Sequence, residues 1–171
     1  MSASAVTPLT AGEYLHISIA TQQLTLWRNH RAQQQFPISS AARGCGQQRH
    51  SQCTPSGWHR IRIAIGANAP LNAVFVGRRC TGEIYTPTLR LQYPQRDWIL
   101  TRILWLSGCE PGHNRYGAVD SLSRYIYIHG TPDEEPMMEP HSHGCIRMRN
   151  HDVIALFSQV SRGMGVYIDA G

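Results

Sequence analysis

Cysteine, histidine and glycine crowd one short stretch of this chain in an order that could form and break acyl bonds. His129 and Gly130 are followed, after an eleven-residue excursion, by Ser142-His143-Gly144-Cys145-Ile146-Arg147-Met148. A free thiol has a pKa of about 8.5 and reacts as its thiolate, so a nucleophilic Cys145 needs a base or a cation beside it. His129 is the partner the spacing offers. Backbone N–H groups around Gly144 and Cys145 could hold a developing oxyanion, and a glycine lets a substrate approach the main chain closely. Nucleophile, base and oxyanion donors together describe an acyl-transfer site. Two other readings use the same residues. His129, His141, His143 and Cys145 fall within seventeen positions and are all possible zinc ligands, and histidines and cysteines of this kind often serve packing alone.

The elements around these residues must bring them together. The apolar run over residues 125–128 predicts a strand that delivers His129 at its end. The excursion contains Pro132, Pro136 and Pro140, which excludes an ordinary helix and predicts a loop whose ends stay close, returning the chain to place Cys145 beside His129. Asp133, Glu134, Glu135 and Glu139 give that loop a solvated, lid-like character, or a contact for a substrate amino group. Period-two alternation predicts strands over residues 13–20, 23–28, 32–39 and 58–65, with Pro37 confining the third to an edge or a bulge. Residues 41–57 read as a long loop closed by Thr54-Pro55-Ser56-Gly57. Further strands are predicted over 73–76, 97–106 and 166–168. One helix is predicted, capped by Asn150, with Asp152 at its positive end, Ile154, Phe157 and Val160 at helical spacing, and Gly163 to terminate it. The fold class is mostly β, in one domain spanning 1–171 with a short flexible N-terminus over 1–12.

Composition narrows the function. At 171 residues with 42% apolar and 16% charged residues, the chain has globular rather than disordered character. All sixteen positive charges are arginine, against eleven acids. The arginines stand singly or in short pairs, such as Arg60 with Arg62 and Arg78 with Arg79, and no basic stripe or recognition motif points to nucleic acid. Arginine without lysine suits bidentate capture of carboxylates, although genome composition produces the same bias. No apolar run approaches the roughly 20 residues of a membrane helix. Five cysteines, an odd number with no CxxC pair, argue against a disulfide framework or a zinc ribbon. Cys45, Cys53, Cys80 and Cys109 are therefore expected to be free thiols. The first ten residues carry neither a basic nor a continuous apolar segment of a secretory leader, so a cytoplasmic location is expected, or a periplasmic one if a leader has been trimmed.

At His129-Gly130 and Ser142-His143-Gly144-Cys145-Ile146-Arg147 the sequence closely resembles the signature of the L,D-transpeptidase (YkuD-like) catalytic domain. Thr54-Pro55-Ser56-Gly57 and the opening strand pair are similar to further elements of that family, so the resemblance spans residues 14–168. It implies a mostly-β sandwich with a little helix, and a site reached beneath a flap. It implies Cys145 as nucleophile, His129 as base and later acid, and the carbonyl of Gly130 or a neighbour as the third member. Ser142, His143 and Gly144 would shape the oxyanion pocket, and Arg147, where many relatives have Asn, would hold the substrate or the loop. The implied substrate is a peptidoglycan tetrapeptide stem or muropeptide, cut before D-Ala at position 4, with neither metal nor cofactor. With the expected compartment, this favours a cytosolic L,D-carboxypeptidase of muropeptide recycling. The alternatives are an L,D-transpeptidase forming crosslinks and, from another class, a zinc-stabilised binding module. The resemblance also implies acylation by carbapenems, and it leaves the oligomeric state open.

Overall fold

A computed structural model describes residues 12–171, so the expected flexible N-terminus lies, Gly12 apart, outside the described residues. Ten strands and two short helices follow one another as β1 (Glu13–Ser18), β2 (Gln23–Arg28), β3 (Arg31–Ser39), β4 (Gly57–Ile65), β5 (Ala73–Val76), β6 (Arg79–Ile84), α1 (Pro87–Gln92), β7 (Ile99–Gly108), β8 (Tyr127–Gly130), β9 (Ile146–Met148), α2 (Asn150–Phe157) and β10 (Gly165–Asp169). The strands form one sheet in the order β4-β10-β1-β2-β3-β9-β8-β7, and β7 pairs back onto β4. The two faces expected of a sandwich are thus two walls of a closed, barrel-like sheet, with the β5–β6 hairpin attached to β7.

Alternation explains the closure. Leu15 and Ile17 of β1, Leu24 and Leu26 of β2, Ile61 of β4, and Val166 and Ile168 of β10 point inward and are buried in one core, because successive side chains of a strand face opposite sides. Ile128, Ile146 and Met148 join them from β8 and β9, and Val153 and Leu156 from α2. Each such side chain contributes about 1.5–3 kcal/mol on burial. As the pattern of Pro37 demands, the partner beyond β3 pairs only with Ile38 and Ser39, leaving Pro37 bonded to a neighbour on one side.

Several elements differ from the sequence reading. Tyr125 has φ of 57° and belongs to a turn, so β8 begins two residues later than predicted and His129 lies within it. β9 falls inside the motif itself. Neither β6, which is mostly exposed and polar, nor α1 shows a periodic apolar signal, although Thr86 caps α1 through a 3.1 Å bond to the Leu89 N–H. Asn150 does not cap α2. It is buried as the first helical residue, and Arg149 occupies the cap position without a side-chain bond. The helix stops at Phe157, well short of Gly163, and buries Val153 and Leu156 rather than a face of Ile154, Phe157 and Val160. No helix among the described residues is long and apolar enough to cross a membrane.

Candidate active site

β8 and β9 run parallel, with Ile128 opposite Ile146, His129 opposite Arg147 and Gly130 opposite Met148. Since Ile128, Ile146 and Met148 face the core, the alternate residues Tyr127, His129, Cys145 and Arg147 all project from the other face. The loop between the strands leaves His129 and returns as Cys145, so base and thiol become diagonal neighbours across one strand pair. The prolines keep that connection irregular, as the sequence required.

The turn that presents Cys145 is fastened from below. Ser142 is buried, and its hydroxyl donates to the Cys145 carbonyl at 2.5 Å while accepting the Gly144 N–H at 3.2 Å. Thr54, fully buried, donates from Oγ1 to the Gly144 carbonyl at 2.9 Å and accepts the Ala41 N–H at 3.0 Å. The turn after β3 and the Thr-Pro-Ser-Gly segment therefore lock the nucleophile loop in place. Gly144 sits at φ of 136°, a conformation side chains rarely adopt, and a Cβ there would come 3.3 Å from the Cys53 carbonyl. Its N–H is consumed by Ser142. The neighbouring N–H groups of His143 and Cys145 have no backbone partner among the described residues.

His129 is almost wholly buried, and its Nδ1 lies 2.6 Å from the Gly130 carbonyl. That contact fixes Nδ1 as the donor and leaves Nε2 as a bare acceptor. Cys145 Sγ accepts the Tyr127 N–H at 3.3 Å and donates to the Tyr125 carbonyl at 3.3 Å. Burial pushes the thiol up to about 12, opposed by the Tyr127 N–H and by the guanidinium groups of Arg147 and Arg124. Burial also lowers the imidazole of His129, against the pull of Asp97 and the Gly130 carbonyl. Both shifts favour uncharged groups. Burial thus works against a thiolate–imidazolium pair at this site.

Arg147 is turned into the protein. It lies 3.4 Å from Asp97 and 3.5 Å from Glu135, and donates to the His141 carbonyl at 3.3 Å. Glu135 is also paired with Arg90 at 2.7 Å and its side chain is only 13% exposed, while Arg149 donates to the carbonyls of Asp133 and Glu135. The connecting loop is consequently tethered at its middle, not a wholly solvated lid. The acids that remain exposed are Asp133, Glu134 and Glu139.

Two grooves meet at the exposed His143. One, of about 530 Å³, is bordered by Arg49, His50, Arg124, Tyr125 and Ile126. The other, of about 260 Å³, is bordered by Arg90, Asp97, Thr131, Glu135 and Arg147. Asp97 and Arg124 carried no signal in the sequence, being isolated charges in loops. Arg124 is half-buried, donating to the Cys53 carbonyl at 2.7 Å and the Gly46 carbonyl at 3.2 Å. Arg78, from the turn of the β5–β6 hairpin, reaches the Tyr127 hydroxyl at 3.1 Å and lies over the rings of Trp105 and Tyr125, so the hairpin is fixed against the wall of the site. The zinc reading finds no ligand set: among the described residues no three His, Cys, Asp or Glu side chains are grouped to hold a metal ion.

A thiol, an imidazole locked by a carbonyl, and a glycine turn on adjacent strands of a closed sheet are the features of a cysteine acyl-transfer domain. The chain belongs to the family of YkuD L,D-transpeptidase catalytic domains, whose sequence model matches residues 12–168. Among solved structures it is similar to an L,D-transpeptidase from Mycobacterium smegmatis, with a TM-score of 0.59 and 16% identity over 94% of this chain and 59% of that one. L,D-transpeptidase 3 from Mycobacterium tuberculosis, in complex with a faropenem-derived adduct, gives 0.57 and 16% over 92% and 60%. A variant of the Enterococcus faecium L,D-transpeptidase gives 0.56 and 14% over 94% and 51%. At such identities these likenesses speak for the fold, and the chain spans 51–60% of the length of those proteins. No curated protein matches it in sequence.

Proposed function

We propose that this domain cleaves the peptide bond preceding D-Ala at position 4 of a peptidoglycan tetrapeptide stem, through a thioester on Cys145. The observation that carries the reading is His129, held by the Gly130 carbonyl at 2.6 Å with Nε2 unengaged, in register with Arg147 and so diagonal to Cys145, two positions earlier on that strand's path. Nε2 takes the thiol proton as Sγ bonds to the carbonyl carbon of the third stem residue. The N–H groups of Cys145 and His143 receive the oxyanion. Collapse breaks the C–N bond, and the proton on His129 goes to the departing D-Ala amine. Because both groups start uncharged, the thiolate exists only while a substrate is there to receive it.

The acyl acceptor we assign is water, making the activity an L,D-carboxypeptidase that releases D-Ala. The unequal grooves support this choice: the roomier one suits the stem peptide, and the smaller one, ringed by Arg90, Glu135 and Arg147, suits water better than a second stem. Carboxylates of the stem are met by Arg49 and Arg124. A soluble muropeptide is the substrate form that fits such a reaction, and a cytoplasmic site for it remains part of the proposal. Incubation with a defined tetrapeptide, with and without an amine acceptor, tests both points. Release of D-Ala that is lost in Cys145→Ala supports cleavage. Crosslinked or D-amino-acid-exchanged products with the amine present would replace water by an amine, and no release under any condition would overturn the proposal.

A further inference from the structure

The wall of the barrel opposite the thiol carries a second built surface. Four strand steps separate β1 from β8 in either direction around the ring. On the outward face of β2, β1, β10 and β4, aromatic side chains form a continuous patch. Tyr14 lies beside Trp27 with ring planes within 5°, at 6.3 Å between centroids, and meets Trp58 edge-on at 5.8 Å. Trp58 contacts Tyr167 at 5.2 Å, and Tyr167 stacks with His16 at 6.1 Å. All are partly exposed. Gly165 makes room for them, since a Cβ there would come 3.1 Å from the Trp58 ring. Core packing does not require this arrangement, because the inward residues of the same strands already fill the interior.

Beside the patch lies a cleft of about 560 Å³ bordered by Arg60, Arg62, Arg115 and Arg162. Trp58 and Arg60 are two residues apart on the same face of β4, and Arg60 pairs with Gly165 in register, so patch and cleft are continuous. All eleven acids of the chain lie among the described residues, and none forms an ion pair with these four arginines. Four uncompensated guanidinium groups at one cleft repel one another and attract oxyanions.

We infer that this surface binds an acidic polysaccharide, sugar rings lying on the aromatic patch and carboxylate or phosphate groups entering the arginine cleft. Aromatic faces carry negative potential that attracts the C–H face of a pyranose, and they contribute apolar area without flexibility. A single nucleic-acid strand would instead need cations alternating with the stacking rings along its whole path. Here the cations without an acidic partner are gathered at one end, whereas Arg28, next to Trp27, is paired with Glu13 and Asp169 stands beside His16 at the other borders of the patch. The inference is independent of the reaction at Cys145.

The test is titration of the intact protein, followed by tryptophan emission and calorimetry, with oligogalacturonate for carboxylates and phosphomannan fragments for phosphates. Chitohexaose, inorganic polyphosphate and oligothymidylate serve as comparisons. At least one acidic glycan is expected to bind at least tenfold more tightly than all three comparisons, and the tighter of the two acidic glycans identifies the anion. Trp58→Ala and the pair Arg60→Glu with Arg115→Glu are each expected to weaken that binding at least tenfold, with Trp58→Phe restoring most of it. An unchanged melting temperature reports that each variant is folded, and an unchanged rate of iodoacetamide alkylation at Cys145, followed by peptide mapping, reports that the thiol site is unaltered. Absence of glycan binding, equal binding of polyphosphate that ignores Trp58, or tighter binding of oligothymidylate would each overturn the inference.

Discussion

Two histidines are buried in this barrel, and they are held alike on one side of the ring and differently on the other. His59 of β4 has Nδ1 at 3.0 Å from the Gly57 carbonyl, as His129 has its own on Gly130. Nε2 of His59, however, takes the hydroxyl of Ser121 at 2.8 Å, whereas Nε2 of His129 has no partner among the described residues. A carbonyl lock on Nδ1 therefore fixes a tautomer without making a base. What separates the imidazole proposed as the base from the structural one is the unfilled acceptor, on the strand face that also carries the thiol. The same family of contacts serves stability at one site and reactivity at the other.

The comparison can be broken most severely at the reactive site. Cys145→Ala should lower D-Ala release by on the order of 10³-fold or more, and His129→Ala by about 10²–10⁴-fold, measured under single-turnover conditions with little change in melting temperature. His59→Ala should do the reverse. Loss of a fully buried ring and of the partner of Ser121 should cost about 3 kcal/mol, read as a fall in melting temperature of roughly 6–12 °C, while the rate on folded protein stays within a few-fold. If His59→Ala lost activity as completely as His129→Ala, the division of roles would be wrong.

The pH responses sharpen the same contrast. Burial depresses His59 to about 4, from an ordinary value of 6.5. The unfolded chain therefore binds this proton more readily, so the stabilisation is complete above pH 6.5 and is lost as pH falls from there toward 4, by about 3 kcal/mol in all. Denaturant unfolding between pH 4 and 7 should show a steeper loss of stability on acidification in wild type than in His59→Ala, the two differing by about 3 kcal/mol over the range, while the variant keeps the slope that the buried His129 contributes. At the other site, a thiol pushed up to about 12 should be alkylated by iodoacetamide at a rate that keeps rising with pH beyond 9. A plateau already reached at pH 6 would instead reveal a standing thiolate–imidazolium pair. The smallest effect belongs to the tether. Glu135→Gln weakens charge-assisted contacts to Arg90 and Arg147, and should cost about 1 kcal/mol while increasing proteolytic nicking within residues 133–141.

The sequence foretold the walls of the barrel better than its seams. Strands with a buried face, such as β1, β2 and β4, announce themselves by alternation, because each inward residue enters the same core. β6 has no such face, and β9 is three residues of a motif whose chemistry hides its pairing. The helix was found, but its buried side was not. Over eight residues the choice between Val153 with Leu156 and Ile154 with Phe157 is settled by where Asn150 anchors, to Thr101 and the Thr131 carbonyl. At the site, Cys145 and His129 stood out by type and spacing, and Gly130 only through the family resemblance. The contacts of Arg147 were not legible: Asp97 lies fifty residues away in sequence, and the path of an irregular, proline-rich loop decides that Glu135 turns back onto it. The capture of the Gly144 N–H by the Ser142 hydroxyl was not legible either, since nothing local reveals it.

β10 stands between β4 and β1, and this stave follows all nine other strands in chain order. A ribosome that has delivered the thiol at position 145 has therefore not yet delivered the strand that seals the ring. Until residue 169 emerges from the exit tunnel, β1 and β4 remain open edges and the nascent chain cannot complete its non-local pairings. The strand that closes the ring around Cys145 thus arrives from the far side of the domain, after the thiol itself. Completion of the nucleophile's surroundings is thereby deferred until β10 is made, and chaperones or oxidants that act before then meet a thiol in an unclosed sheet.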